Sequence, residues 1–123
     1  MPPLKDEVPI SIVFESTEVT GTLSRILSPR TVEGILGALP ITSRTFLWKE
    51  EVYFEIPITI GPEKPRSSVT AGALAYWPPS RAFCIFFGSS QPYSPVNLVG
   101  RLVTTPDEVR KVKQGEWVTV KLK

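Results

Sequence analysis

Residues 76–88 read YWPPSRAFCIFFG, two apolar runs hinged on a Pro-Pro pair. Pro78 and Pro79 restrict φ and carry no backbone N–H, so the chain must turn between Trp77 and Arg81. After the turn Phe83, Cys84, Ile85, Phe86 and Phe87 are apolar at every position, where a strand with one wet face would alternate. Such a run needs cover on both sides. The expectation is a strand in a barrel wall, with other strands beneath it and a helix above, and with Phe83 to Phe87 serving structure.

A chain of 123 residues makes one domain over 1–123 and buries a core that needs neither disulfide nor metal. Its single Cys84 lies in an apolar run and reads as a reduced, buried hydrophobe. The absence of His excludes Cys–His and Ser–His mechanisms, and zinc sites built on His or several Cys. Net charge is +2, with the signs interspersed. The basic end of Lys111, Lys113, Lys121 and Lys123 lacks interleaved aromatics, so nucleic acid is not the expected partner.

No apolar stretch reaches the roughly 18 residues of a membrane span, and MPPLKDEVPI is unlike a signal peptide. A cytoplasmic protein is expected, with residues 1–8 as a flexible N-terminus. The 13 prolines are about twice the usual share and fall at turns. With few Asn, Gln or Met, they suggest a heat-stable, thermophile-like chain.

Outward from the opening segment, Ile10, Ile12 and Phe14 alternate with Ser11 and Val13, and Val19, Gly21 and Leu23 repeat the pattern after a polar turn, which predicts a hairpin. Val32, Ile35, Leu36 and Leu39 follow helical spacing, with Ser28 at the N-cap, Pro29 at the first position and Pro40 as the stop. Strand character returns at 43–48 and at 51–58, where Val52, Phe54, Ile56 and Ile58 share one face and Glu51, Tyr53 and Glu55 the other. Residues 61–68 are a polar loop; Val69–Trp77, Ala82–Phe87 and Val96–Val103 read as strands. Thr105-Pro106-Asp107-Glu108 resembles a capping box opening a short helix that Gly115 ends, and Trp117–Leu122 closes the chain as a strand. About eight strands and two short capping helices predict a mainly β, closed barrel.

Three segments, LPITSRTFLWKEEVYFEIP, VTAGALAYWPPSRAFCIFFG and SPVNLVGRLV, together resemble the small prokaryotic cyclophilin-like proteins of unknown function. Trp48, Glu51, Tyr53 and Phe54 match one signature, and Gly72, Tyr76, Trp77 and Pro78 a second. Cys84, Phe86, Phe87 and Gly88 match a third, and Ser94, Val96, Asn97 and Gly100 the last. Lys49 stands where the pattern usually has Gly, Ala73 where it has an acid, and Ser80 where it often has Gly. The 88–94 loop is shorter than in relatives, which implies a smaller or more open pocket. The resemblance implies a cyclophilin-like barrel. It argues against prolyl isomerase activity, because the Phe-His-Arg and Gln-Gly-Gly arrangements of true cyclophilins are missing and Arg44 and Arg81 sit in no matching motif.

Trp48, Tyr76 and Trp77 could form an aromatic platform at the barrel end for a peptide or small molecule; packing at the barrel end is the plain alternative. Glu51 and Tyr53 share a strand face and could act as an acid/base pair, the alternative being a solvated outer face. Ser94 and Asn97 enter a strand and could bind ligand or simply fix the loop. Arg81 could reach an anion from the turn. Glu50–Glu51 and Asp107–Glu108 do not read as metal sites, and no cofactor is expected. The leading expectation is a binding module using Trp48, Glu51, Tyr53, Tyr76, Trp77, Arg81, Ser94 and Asn97. A residual prolyl isomerase and a self-associating structural protein, a homo-oligomer, are the alternatives.

Overall fold

The computed structural model describes residues 6–123. Nine strands form one antiparallel sheet: β1 (Glu7–Phe14), β2 (Glu18–Ser24), β3 (Ile41–Arg44), β4 (Phe46–Trp48), β5 (Glu51–Glu55), β6 (Ala73–Trp77), β7 (Ala82–Phe86), β8 (Asn97–Leu102) and β9 (Trp117–Leu122). Their spatial order is β3-β9-β1-β2-β8-β6-β7-β5-β4. The two ends of this order, β3 and β4, are consecutive in the chain. One stretch pairs with β9 through Arg44, then with β5 from Phe46, and so nearly closes the sheet into a barrel.

The change of partner occurs at Thr45. Its N–H donates to the Glu116 carbonyl at 2.9 Å and its hydroxyl to the Lys113 carbonyl at 2.8 Å. These bonds bend the chain and split the expected 43–48 strand in two, which raises the count from about eight strands to nine. Val69–Gly72 lies outside β6, with Gly72 at φ +92°. Glu7 and Val8 pair with Ser24 and Leu23, so the expected flexible N-terminus of 1–8 is already strand from Glu7; residues 1–5 lie outside the described residues.

Inward positions follow the two-residue period of strands. Ile10, Ile12, Leu23, Val52, Phe54, Leu74, Tyr76, Phe83, Ile85, Val99 and Val120 are buried in one cluster, the barrel interior. Removing a side chain such as Phe83 from such a core costs about 3–5 kcal/mol. The helix α1 (Pro29–Ala38) adds Val32 and Ile35 to this cluster. Its first turn is held by a distant residue. The Glu63 carboxylate accepts the N–H groups of Arg30 and Thr31 at 3.0 and 2.9 Å, satisfying donors that a helix cannot pair within itself. Ser28, the expected cap, instead donates its hydroxyl to the Leu98 carbonyl at 2.7 Å.

The expected second helix is a 3₁₀ turn, Pro106–Lys111, with no cap bond from the Thr105 side chain. The Glu108 carboxylate is taken by the Thr17 hydroxyl at 2.6 Å and the Lys111 ammonium at 2.7 Å, so it cannot reach back to complete a capping box. The turn still delivers Val109 and Val112 to the interior.

The opening segment is covered on both faces, as its composition requires, but not by a helix. Phe83 and Ile85 face the interior, while Ala82, Cys84 and Phe86 join Ala73, Ala75 and Val96 in a second cluster outside the wall. Tyr53, Val69, Trp77 and Leu98 close over that cluster. The outer cover is therefore aromatic side chains and the 88–96 loop.

Candidate functional site

Strand parity sends Trp48, Glu51, Tyr53, Trp77 and Phe86 to the outer face of the barrel wall. Adjacent strands bring them into register: Trp48 lies opposite Glu51, Glu51 opposite Phe86, Tyr53 opposite Cys84 and Trp77 opposite Ala82. Directly paired side chains on one face are about 5 Å apart at Cβ. With Pro92, Tyr93 and Val96 from the following loop, these residues line a pocket of about 170 Å³.

The loop that completes the pocket is held along its length. The Glu50 carboxylate accepts the Ser89 N–H at 3.0 Å, and the Glu50 N–H donates to the Ser90 hydroxyl at 2.9 Å. Gln91 exchanges bonds with Val69, accepting its N–H at 2.9 Å and donating to its carbonyl at 3.2 Å. The Trp77 indole N–H donates to the Ser94 hydroxyl at 2.7 Å. Val96 and Arg66 exchange backbone bonds at 2.8 and 2.9 Å.

Tyr93 stands nearly perpendicular to two tryptophans, with ring centroids 6.2 Å from Trp48 at 83° and 6.1 Å from Trp77 at 76°. Tyr53 is backed by Phe46, stacked at 5.6 Å. Tyr93 is thus near-perpendicular to both tryptophans.

Glu51 is the acid of this pocket and is only 6% exposed. Among the described residues no cation pairs with it; nearby cations are engaged elsewhere. Arg110 holds Glu50 at 2.9 Å, Arg81 holds Glu55 at 3.1 Å, and the Lys49 ammonium rests 4.7 Å from the centroid of the Trp48 ring. Burial pushes the Glu51 carboxyl above its usual range, partly offset by a hydrogen bond with the Cys84 thiol. Burial, reinforced by the neighbouring Glu51 charge, pushes the Cys84 thiol well above its own range. Cys84, 1% exposed and unpaired, is a neutral thiol rather than an activated nucleophile.

Four of the sequence candidates, Trp48, Glu51, Tyr53 and Trp77, line this pocket, and Ser94 holds the Trp77 ring. The other three lie elsewhere. Tyr76 must face opposite to Trp77 on a strand, and it is fully buried in the interior, donating its hydroxyl to the Ile58 carbonyl at 2.9 Å. Arg81, in the left-handed region at φ +50°, pairs with Glu55 at the surface. Asn97 is fully buried. It donates to the Thr31 hydroxyl at 3.1 Å and the Gly61 carbonyl at 3.0 Å, and accepts the Glu63 N–H at 2.8 Å. It ties the 61–63 loop to the helix start.

Two expectations change with this geometry. The aromatic cleft is on the outer wall rather than at the barrel end, because Glu51, Tyr53 and Trp77 share the outward parity. Glu51 is not on a solvated face, because Trp48, Phe86 and the loop cover it. Phe86, read as purely structural, lines the pocket, and its position between Cys84 and Gly88 in the outward series could have signalled this. Pro92 and Tyr93 lie in an aperiodic loop and carried no such signal.

The Cyclophilin-like family pattern matches residues 8–121. The chain belongs to that family. The solution structure of a hypothetical protein from Archaeoglobus fulgidus is similar over 100% of both chains, with 34% identity and a TM-score of 0.83. McbB, solved in complex with tryptophan, is similar in fold at 20% identity and a TM-score of 0.78; the match covers 93% of this chain and 44% of McbB. No curated protein matches the chain. Of the residues in the segments that carry the resemblance, Trp48, Glu51, Tyr53, Trp77, Phe86 and Val96 line the pocket, while Cys84, in the outer cluster with Phe86 and Val96, does not. Arg44 lies 3.9 Å over the Trp117 ring and donates to the Gly115 carbonyl at 3.1 Å. No helix among the described residues is long and apolar enough to cross a membrane.

Proposed function

We propose that this protein is a binding module for a small organic molecule, held in the outer-wall pocket between Trp48, Tyr53, Trp77 and Tyr93 over Glu51. The observation that carries the reading is the convergence of four strands and one tethered loop on an apolar pocket with a single buried acid. Few convergent polar groups in an apolar concavity are the usual composition of a ligand site. At about 170 Å³ the pocket is below the roughly 300–1,000 Å³ of drug-sized sites, so it suits a fragment-sized ligand or one side chain of a peptide. McbB is described with tryptophan bound, which makes tryptophan a sensible probe. We also propose a heat-stable protein, on the proline-rich turns and the few Asn, Gln and Met residues, and a cytoplasmic one, on a single cysteine that is a buried free thiol.

The test is tryptophan fluorescence and thermal shift on a Trp117→Phe background, which leaves Trp48 and Trp77 as reporters. The panel is free tryptophan, small amines, small alcohols and prolyl dipeptides at millimolar concentration. At least one class should quench the signal and raise Tm, and Trp77→Ala should abolish both effects. A panel without any response removes the proposal.

A further inference from the structure

We infer that the occupant of this pocket is a small organic cation, a tri- or tetraalkylammonium group. The inference rests on the ligand-binding reading above and names its chemistry. Its first support is the aromatic box. Aromatic faces carry negative charge density, and a cation within about 6 Å of a Trp or Tyr centroid is attracted to it, the more so when desolvated. Tyr93 stands at 83° to the plane of Trp48 and at 76° to that of Trp77, and all three rings line the pocket. Trp48 already attracts one cation, the Lys49 ammonium at 4.7 Å, and Lys49 is not among the residues lining the pocket.

The second support is Glu51. A carboxylate 6% exposed and without a cationic partner among the described residues is costly to keep charged. A cation brought by the ligand supplies the missing partner, whereas a neutral ligand leaves the acid uncompensated. An anion would be repelled.

The third support is the apolar lining. Apart from the Glu51 carboxylate and the hydroxyls of Tyr53 and Tyr93, the lining side chains are aromatic or aliphatic, and an alkylated nitrogen, whose surface is carbon, suits such walls while still answering one acid. Size agrees: about 170 Å³ is the liquid volume of roughly five or six waters, at about 30 Å³ each, enough for a nitrogen and its four carbon substituents.

Charge linkage follows. Binding a cation favours ionised Glu51, so affinity rises with pH through the Glu51 titration and then levels. The groups facing Glu51 do not confuse this rise. They are the Cys84 thiol, which burial holds protonated, the phenols of Tyr53 and Tyr93 and the non-titrating rings of Trp48, Trp77 and Phe86, while the Lys49 ammonium lies outside the lining.

The experiment compares choline with 3,3-dimethylbutan-1-ol, which has the same shape without the charge, by fluorescence titration of the full chain from pH 4 to 8. Choline should bind at least tenfold tighter at pH 8 and lose affinity towards pH 4, while the alcohol should show no such dependence. Glu51→Gln should remove most of the choline preference and leave alcohol binding unchanged. A short peptide carrying trimethyllysine, titrated alongside, separates sources: similar affinities assign a free ammonium compound, and a tenfold tighter peptide assigns a modified chain. Equal affinity for choline and alcohol, or no choline binding while another panel member binds, overturns the cation and leaves the ligand site standing. Silence from every ligand removes both. The isostere comparison needs no variant, so a poorly folding Glu51→Gln does not blunt the test.

Discussion

Glu50 and Glu51 are adjacent, yet their carboxylates lie in different electrostatic surroundings. Glu50 is ion-paired with Arg110 at 2.9 Å, and that bond, with the Ser89 N–H, holds it below the usual carboxylate range. Glu51 points into the aromatic pocket without a cation, and burial holds it above that range. One residue anchors the loop that walls the pocket; the other is the pocket's charge.

The pH dependence of stability should reveal Glu51. Its raised value means that the folded state keeps this proton to higher pH than the unfolded chain does. Its contribution is complete below the ordinary Glu value and is lost as pH rises through the raised one. Glu51→Gln should therefore melt at a higher temperature relative to wild type as pH goes from 4 to 8. Parallel melting curves across that range would remove Glu51 from this role.

Asn97→Ala should destabilise the fold by about 2–3 kcal/mol. It leaves the Glu63 N–H and the Gly61 carbonyl without their buried partner, each a loss of about 1–3 kcal/mol when unreplaced. Urea denaturation measures this. Ligand affinity should be unchanged, since Asn97 does not line the pocket; a loss of binding at full stability would return Asn97 to the site.

Gly100→Ala should cost about 3 kcal/mol or more. A Cβ there would collide with the Thr22 backbone carbonyl oxygen on the neighbouring strand, and backbone in a closed wall cannot move aside as a side chain can. A cost below about 1 kcal/mol in urea would show that β2 and β8 can separate locally.

Lys49→Gly should stabilise the protein by about 0.5 kcal/mol. Lys49 occupies the left-handed region at φ +54°, where a side chain is strained by about 1–2 kcal/mol. The greater freedom of unfolded Gly and the lost contact with Trp48 return part of that gain. A measured loss of stability would mean that the Lys49–Trp48 contact outweighs the strain.

The alternation of residues 10–14, 19–23 and 51–56, and the doubly apolar run at 83–87, were enough to specify a β-barrel. They express a local rule, the two-residue period of a strand under a hydrophobic core, which neighbours along the chain suffice to display. The same rule already separated Tyr76 from Trp77, because consecutive strand residues face opposite sides. Tertiary structure decided which side of the wall each aromatic serves, since both sides of the 82–87 strand are covered and either could have held a cleft. It also decided the charge environment. That Glu50 finds Arg110 and Glu51 finds none depends on where residues some 60 positions apart come to rest, and no local pattern carries that information. Tyr93 and Glu63 lie in loops without periodicity, and only the folded chain brings one to the pocket and the other to the start of a helix.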